Sequence, residues 1–320
     1  MVAPPELTIV MVGTRDALAD MLVSMAGALE TPNAAAHLSV DFEGYHLGKD
    51  GAISLVRIFV HASNVVYLVH VAVLGAAAFS TPVAAASEIF KSMPLTLEAV
   101  LESSAVMKLF WNCRSDSQAL YHLYGVKLAG VVDVQLWDVA TQGSSKERAR
   151  VKSLRHALTQ RMRRNISEAD IKSWSLVKDA GVRAHRGDGF DEAERWYIEA
   201  GGKLPEYTSN KRQDSVGSQD SDCDNESPGK GMCVFAQSHL RLLMQAYTVN
   251  DVRVLTVMLE YFTVKHRFWN TEWQVRVCTA SQNRIEEGMK PEFNASLADV
   301  KNGTSVVWKD VVQVDRFATP

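Results

Sequence analysis

Cysteine is sparse and unpatterned in this 320-residue chain, with Cys113, Cys223, Cys233 and Cys278 at spacings that match neither a zinc framework nor a disulfide scaffold. Reduced, unpaired thiols are expected. No apolar run reaches the roughly 18 to 20 residues that a membrane span requires, and residues 1–7 lack the basic-then-apolar order of a secretory leader. The expected address is therefore intracellular, cytoplasm or nucleus, with no membrane partner. Charge of one sign is missing as well: a net charge of -3 excludes wholesale attraction to nucleic acid, although a global sum hides local asymmetry. Internal repeats are absent. Three Asn-x-Ser/Thr triplets, at Asn165, Asn294 and Asn302, read as accidental in such a compartment.

What is present supports a sizeable core, because 47% of the residues are hydrophobic. "LTIVMV" reads as a strand and is followed from Arg15 by a helix with Leu18, Met21, Leu22 and Met25 on one face. Residues 37–43 alternate, with Leu38, Val40 and Phe42 on one side and Ser39, Asp41 and Glu43 on the other. Turn signals at Lys49-Asp50-Gly51 and at Asn64 then predict three consecutive strands. A helix over 87–103, a strand at "AVMKLFW", a helix from Arg114 and a strand running into a helix at "GVVDVQLWDVA" complete an α/β pattern. Residues 207–231 are polar and nearly free of apolar side chains, which predicts a disordered insert. Helical periodicity resumes from His239 to Phe262, and residues 263–320, with Trp269, Trp273 and Trp308, read as an extension packed on the domain.

Three short segments carry acids in a fixed order: Asp41 and Glu43 in "VDFEG", Asp116 in "WNCRSDSQAL", Tyr247 and Asp251 in "AYTVND". Each has a bland reading. An acid pair on an alternating strand is most often solvated; Asp116 in a first turn favours the macrodipole, with Asn112 or Ser115 as a cap; Asp251 could be a hydrogen-bonded structural aspartate. Asp116 and Asp251 nevertheless fall on apolar helix faces, the latter with Leu240, Leu243, Leu255 and Met258, and a buried carboxylate needs a cation, a strong donor or a proton. Joined, the segments can hold two divalent cations and orient a water for attack on a phosphodiester. Hard oxygen ligands suit Mg²⁺ or Mn²⁺.

The segments "VDFEGYHLGKDGAISLVRI" and "KLFWNCRSDSQALYHLYGVKLAGVVDVQL", with "AYTVND", resemble the DEDDy branch of the 3′-to-5′ exonuclease superfamily, which includes ribonuclease D and the Werner exonuclease domain. The Egalitarian-like eukaryotic proteins are the nearest likeness. The resemblance spans residues 6–262 and implies a ribonuclease H-like mixed sheet flanked by helices, an exonuclease domain over 1–262 and a helical extension over 263–320. It implies that Asp41, Glu43, Asp116 and Asp251 are the metal-binding acids, that Tyr247 orients the water and that Asp133 is structural. The chain departs from the pattern at Trp111 and Asn112, at Arg57 where many relatives have Gln, at His70, and at Ser238 and His239. None of these removes a metal ligand, so the expected change lies in substrate placement rather than chemistry.

The implied activity is hydrolysis of RNA or single-stranded DNA from the 3′ end, releasing nucleoside monophosphates with two divalent cations. Two other readings stay open: an RNA-binding or scaffolding protein with weak or no catalysis, and a two-metal phosphohydrolase acting on small nucleotides. A carboxylate pocket repels phosphate, so affinity must come from elsewhere. Between Lys146 and Arg164 there are eight Lys/Arg against the single Glu147, and Arg155, Arg161, Arg163 and Arg164 are candidate nucleic-acid contacts over a stripe of Leu154, Ala157, Leu158 and Met162. The same run also fits a solvated helix face or a nuclear-localisation signal.

Overall fold

A computed structural model of the chain describes residues 7–30, 37–84, 88–91, 94–142, 151–186, 190–204, 241–265 and 271–294. The expected insert at 207–231, Ser238, His239, Leu240 and the extension beyond 294 lie outside the described residues, as does Trp269.

Six strands form one mixed sheet: β1 (Thr8–Val12), β2 (Leu38–Tyr45), β3 (Ala52–Val60), β4 (Val65–Val69), β5 (Lys108–Phe110) and β6 (Val131–Asp133), in the order β1-β4-β3-β2-β5-β6. The meander β2-β3-β4 is antiparallel, as its two short turns dictate, whereas β1, β5 and β6 join in parallel. Between them run α1 (Arg15–Leu29), α2 (Leu97–Glu102), α3 (Arg114–Tyr124), α4 (Val134–Ala140), α5 (Glu168–Arg186), α6 (Phe190–Glu199), α7 (Leu242–Lys265) and α8 (Thr271–Met289). This is a ribonuclease H-like mixed sheet flanked by helices.

Thr14 starts α1 by accepting from the Ala17 N–H at 3.2 Å, and Leu18, Met21, Leu22 and Met25 bury its inner face against the sheet. The expected helix over 87–103 is shorter in the structure. Pro94 cannot continue a helix, Val83 bridges Leu95 in an extended stretch, and Thr96 then caps α2. Along β3, Val56, Ile58 and Val60 pack on the α1 and α3 side, while Leu55 and Phe59 pack on the side of α5, α6 and α7. Both faces of the sheet are thus covered. Arg57 shares the second face, and so do Asp41 and Glu43 of the neighbouring strand.

A one-residue bulge decides what Asp41 meets. From Leu38 to Glu43 the strand pairs in one register, with Asp41 opposite Arg57; from Gly44 the register shifts by one. Without the bulge Val56 would stand opposite Asp41 and Arg57 would turn to the other side of the sheet. Gly44 permits the bulge, since a Cβ there would lie 1.9 Å from the Ala52 carbonyl oxygen. The β2 acids and the guanidinium are cross-strand neighbours by construction.

Candidate active site

Arg57 is the centre of the acid cluster. Its guanidinium is 2% exposed; Nη2 donates to Asp41 Oδ2 and lies 2.8 Å from Glu43 Oε1, and Nη1 donates to the Thr248 carbonyl at 3.0 Å and stands 3.6 Å from Asp251 Oδ2. β2, β3 and α7 are therefore tied through one side chain. A second cation comes from α5: Lys178 Nζ lies 2.5 Å from Asp251 Oδ2 and 3.7 Å above the centre of the Tyr247 ring. Gly181, one turn on from Lys178, lets α5 reach this ring, because a Cβ there would fall 2.0 Å from Tyr247 Cδ2.

Asp116 reaches the cluster from the start of α3. It is 4% exposed, and burial pushes its carboxyl up to about 8, with Arg57 pulling the other way. Burial likewise raises Glu43 to about 7 against the opposing Lys178. Tyr247 is held above the usual phenol range by burial and by the charge of Glu43. Asp41, Glu43 and Asp251 thus meet at Arg57, and Asp251 and Tyr247 at Lys178, while Asp116 is linked to them through the charges of Arg57 and Glu43. The expected Asn112 or Ser115 cap is replaced: Cys113 starts α3 without a side-chain cap.

The acceptor at that helix start is Asp133. Fully buried, it takes hydrogen bonds from the N–H groups of Asn112 (2.9 Å), Cys113 (3.2 Å) and Gln135 (3.0 Å), and from Arg284 Nη1 at 2.6 Å. Asn112 sits at φ 64°, a conformation that asparagine tolerates better than most residues. The carboxylate thus joins the ends of β5 and β6 to α8 and fixes the turn from which Asp116 projects.

The basic run divides. Arg161 faces inward, with Nε 3.1 Å from the fully buried Asp138 and Nη2 donating to the Thr141 carbonyl at 3.1 Å and its hydroxyl at 2.8 Å. Arg155 pairs with Asp179 at 2.6 Å and lies over Trp174. Arg163 and Arg164 are exposed; Ala157, Leu158 and Met162 are buried beneath them, with Leu154 partly so. Residues 143–150, with Lys146, Arg148 and Arg150, lie outside the described residues.

Sequence reasoning missed Lys178, Gly181 and Arg284, which approach from helices far along the chain. Arg57 was noticed only as a departure. It stands among the acids themselves. The signal was available in the hairpin: Lys49-Asp50-Gly51 brings Arg57 within one residue of the position opposite Asp41, and the bulge supplies that residue.

Do these residues fit the divalent cations that the resemblance implies? Four carboxylates face two cationic side chains, which leaves a formal charge of -2 if all the acids ionise. Asp251 Oδ1 is buried without a hydrogen bond among the described residues. Hard carboxylate oxygens, one of them buried and unbonded, are of the type that suits Mg²⁺ or Mn²⁺. Arg57, however, already fills the space shared by Asp41, Glu43 and Asp251, and among the described residues no three His, Cys, Asp or Glu stand in metal-holding arrangement. The donor chemistry suits such a cation, but Arg57 and Lys178 take the place between these acids in this arrangement.

No family model matches the chain, and no curated protein matches it. Among solved structures it is similar to the ribonuclease D of Trypanosoma brucei. In complex with GMP, that protein is 19% identical with a TM-score of 0.56, over 91% of this chain and 68% of the other. In complex with RNA U12 it is 18% identical with a TM-score of 0.53, over 92% of this chain and 75% of the other. The fold of this chain is thus that of a ribonuclease D-type nuclease.

Proposed function

We propose that this chain is a 3′-to-5′ exonuclease of the DEDDy type, closest to its Egalitarian-like branch, that hydrolyses RNA or single-stranded DNA with Mg²⁺ or Mn²⁺ and releases nucleoside monophosphates. The observation that carries the reading is the gathering of Asp41, Glu43, Tyr247 and Asp251 around Arg57 and Lys178, with the buried Asp116 coupled to the same guanidinium, on a ribonuclease D-like sheet. The ribonuclease D structures bound to GMP and to RNA make a nucleic acid the natural ligand class by analogy. In this reading the exonuclease domain spans 1–262, residues 263–320 form its extension, and the protein works in the cytoplasm or nucleus.

Asp41, Glu43, Asp116 and Asp251 would hold the metal, which when bound polarises the scissile phosphate and lowers the pKa of a bound water. The remaining work falls to the chain. Tyr247, one helical turn before Asp251, orients the attacking water through its hydroxyl. Lys178 fixes the ring and the Asp251 carboxylate together. Arg57 offsets charge that builds on the phosphate and holds the β2 acids in their rotamers. Arg163 and Arg164, exposed near α5, supply salt-sensitive contact to the strand, with Arg155 and Arg161 contributing through the shape of that surface.

The test is degradation of labelled RNA and DNA oligonucleotides with Mg²⁺, with Mn²⁺ and with chelator. Mononucleotide release from the 3′ end is expected, lost by at least 100-fold in Asp41→Ala and Asp251→Asn. Equal degradation by these variants and by the native chain would remove the assignment. A second reading is favoured by one observation: Arg57 and Lys178 pair with three of the four acids, as suits an RNA-binding protein with weak or no catalysis. Tight RNA binding in chelator, without turnover in either metal, would select it.

A further inference from the structure

On the reading of Asp116 and Glu43 as site acids, we propose that the end of α8 and the turn beyond it, residues 285–293, form a clamp that fixes α3, and with it Asp116, relative to the turn that follows Glu43. Ser117, Gln118 and Gly288 are its positioning residues. The catalytic unit then runs past the expected boundary at 262 to Phe293.

Both acid-bearing segments are fastened to the clamp by side chains that donate to its backbone. From α3, Ser117 Oγ donates to the Ile285 carbonyl at 3.0 Å, Gln118 Nε2 to that of Phe293 at 2.9 Å and His122 Nε2 to that of Met289 at 3.1 Å. From the turn between β2 and β3, Lys49 Nζ donates to the Pro291 carbonyl at 2.7 Å. Gln118 also stands against that turn, since a Cβ on Gly48 would lie 2.8 Å from its Oε1. Ser117 and Gln118 follow Asp116 directly and are buried, so a shift of the clamp leaves their donors unmatched in the interior.

Gly288 brings the two backbones together. A Cβ there would fall 2.5 Å from the Arg114 carbonyl oxygen and 3.4 Å from the Gln118 nitrogen, so α8 touches the first turn of α3 where Asp116 projects. The turn beyond α8 is closed by its own bonds, from the Lys290 N–H to the Glu287 carbonyl at 3.2 Å and from the Phe293 N–H to the Lys290 carbonyl at 3.1 Å. Earlier on the same helix Arg284 meets the Asp133 carboxylate, and Ser281 Oγ accepts from the Asp133 N–H at 2.9 Å. α3 has no side-chain cap of its own. Its first turns therefore take their place from Asp133 and α8, and a displacement of about 1 Å is enough to slow a reaction on the order of 100-fold.

The test is steady-state turnover of a labelled RNA oligonucleotide by the whole chain and by Gly288→Ala and Gln118→Met, each at a temperature where circular dichroism shows it folded. Leu22→Ala, on the inner face of α1, is the control for lowered stability alone. A kcat lower by about tenfold or more in Gly288→Ala, a smaller fall in Gln118→Met, KM within about twofold in both, and native kcat in Leu22→Ala are expected. Native kcat in Gly288→Ala, a change confined to KM, or an equal fall in Leu22→Ala overturns the proposal. Amide hydrogen exchange in chelator reads the same contact without turnover: over residues 112–120 it should quicken by about tenfold or more in Gly288→Ala and stay unchanged over β3. Equal protection of residues 112–120 in the native chain and the variant overturns the clamp. Should the native chain degrade no oligonucleotide, the nuclease reading falls and exchange alone decides on the clamp. If Gly288→Ala does not fold, Gln118→Met decides by the same two measurements.

Discussion

Replacing Asp133 with asparagine removes one charge and should destabilise the protein by about 3 to 5 kcal/mol, the usual cost of breaking a buried ion pair from one side. The estimate follows from what the carboxylate accepts. If the asparagine oxygen takes the place of Oδ1, the N–H groups of Asn112 and Gln135 keep their acceptor, while the new NH₂ points at the Cys113 N–H and at Arg284 Nη1. Two donors then face a donor. Arg284 is fully buried, its Nε and Nη2 already lack acceptors among the described residues, and Gln135 Oε1 at 3.0 Å is the one acceptor left to Nη1. Arg284→Met should cost less, about 1 to 3 kcal/mol, because three backbone N–H groups continue to stabilise the Asp133 carboxylate. The double variant should lose less than the sum, with a coupling energy above about 1 kcal/mol. Urea denaturation followed by circular dichroism measures all three, and a loss of this size is a large part of the roughly 5 to 15 kcal/mol that holds a domain together. An Asp133→Asn midpoint within about 1 kcal/mol of the native protein, or strict additivity, would refute the argument.

The buried Asp116 carries a sign. Its folded carboxyl keeps a proton to about pH 8 while the unfolded chain releases it near pH 4, so the folded state binds more protons in between and stability declines as pH rises across that window. Asp116→Asn, measured in chelator, should therefore gain stability relative to the native chain at pH 8 more than at pH 5, and lose nuclease activity; an unchanged difference between the two pH values would count against it. Gly181→Ala drives a methyl group into the Tyr247 ring and should cost about 1 to 3 kcal/mol in thermal unfolding, with slower RNA turnover. Arg161→Ala should cost about 3 kcal/mol by removing the cationic partner of the buried Asp138 and leaving it the Gln142 amide, whereas Arg163→Ala and Arg164→Ala should stay within about 0.5 kcal/mol and instead flatten the salt dependence of RNA binding. Equal stability loss in all three would dissolve that division.

Local chemistry settled much in advance. Turn residues at Lys49-Asp50-Gly51 and Asn64 specified the meander, period-two alternation put Asp41 and Glu43 on one face, and the buried stripe of α7 marked Tyr247 and Asp251. These signals work over a few residues, where propensity and periodicity act. The helix expected over 87–103 failed on a single imino acid, Pro94, whose effect outweighed the surrounding pattern.

Tertiary structure decided the character of the site. A one-residue bulge beyond the reach of alternation turned Arg57 toward the acids, and Lys178, Gly181 and Arg284 arrived from segments more than a hundred residues from their partners or on separate helices. The sequence by itself determined which side chains could bear the charge, because residue type and local spacing are enough for that. Only the packed fold determined which cation neutralises them, since that depends on side chains meeting across elements whose distance in space the order of residues does not encode locally.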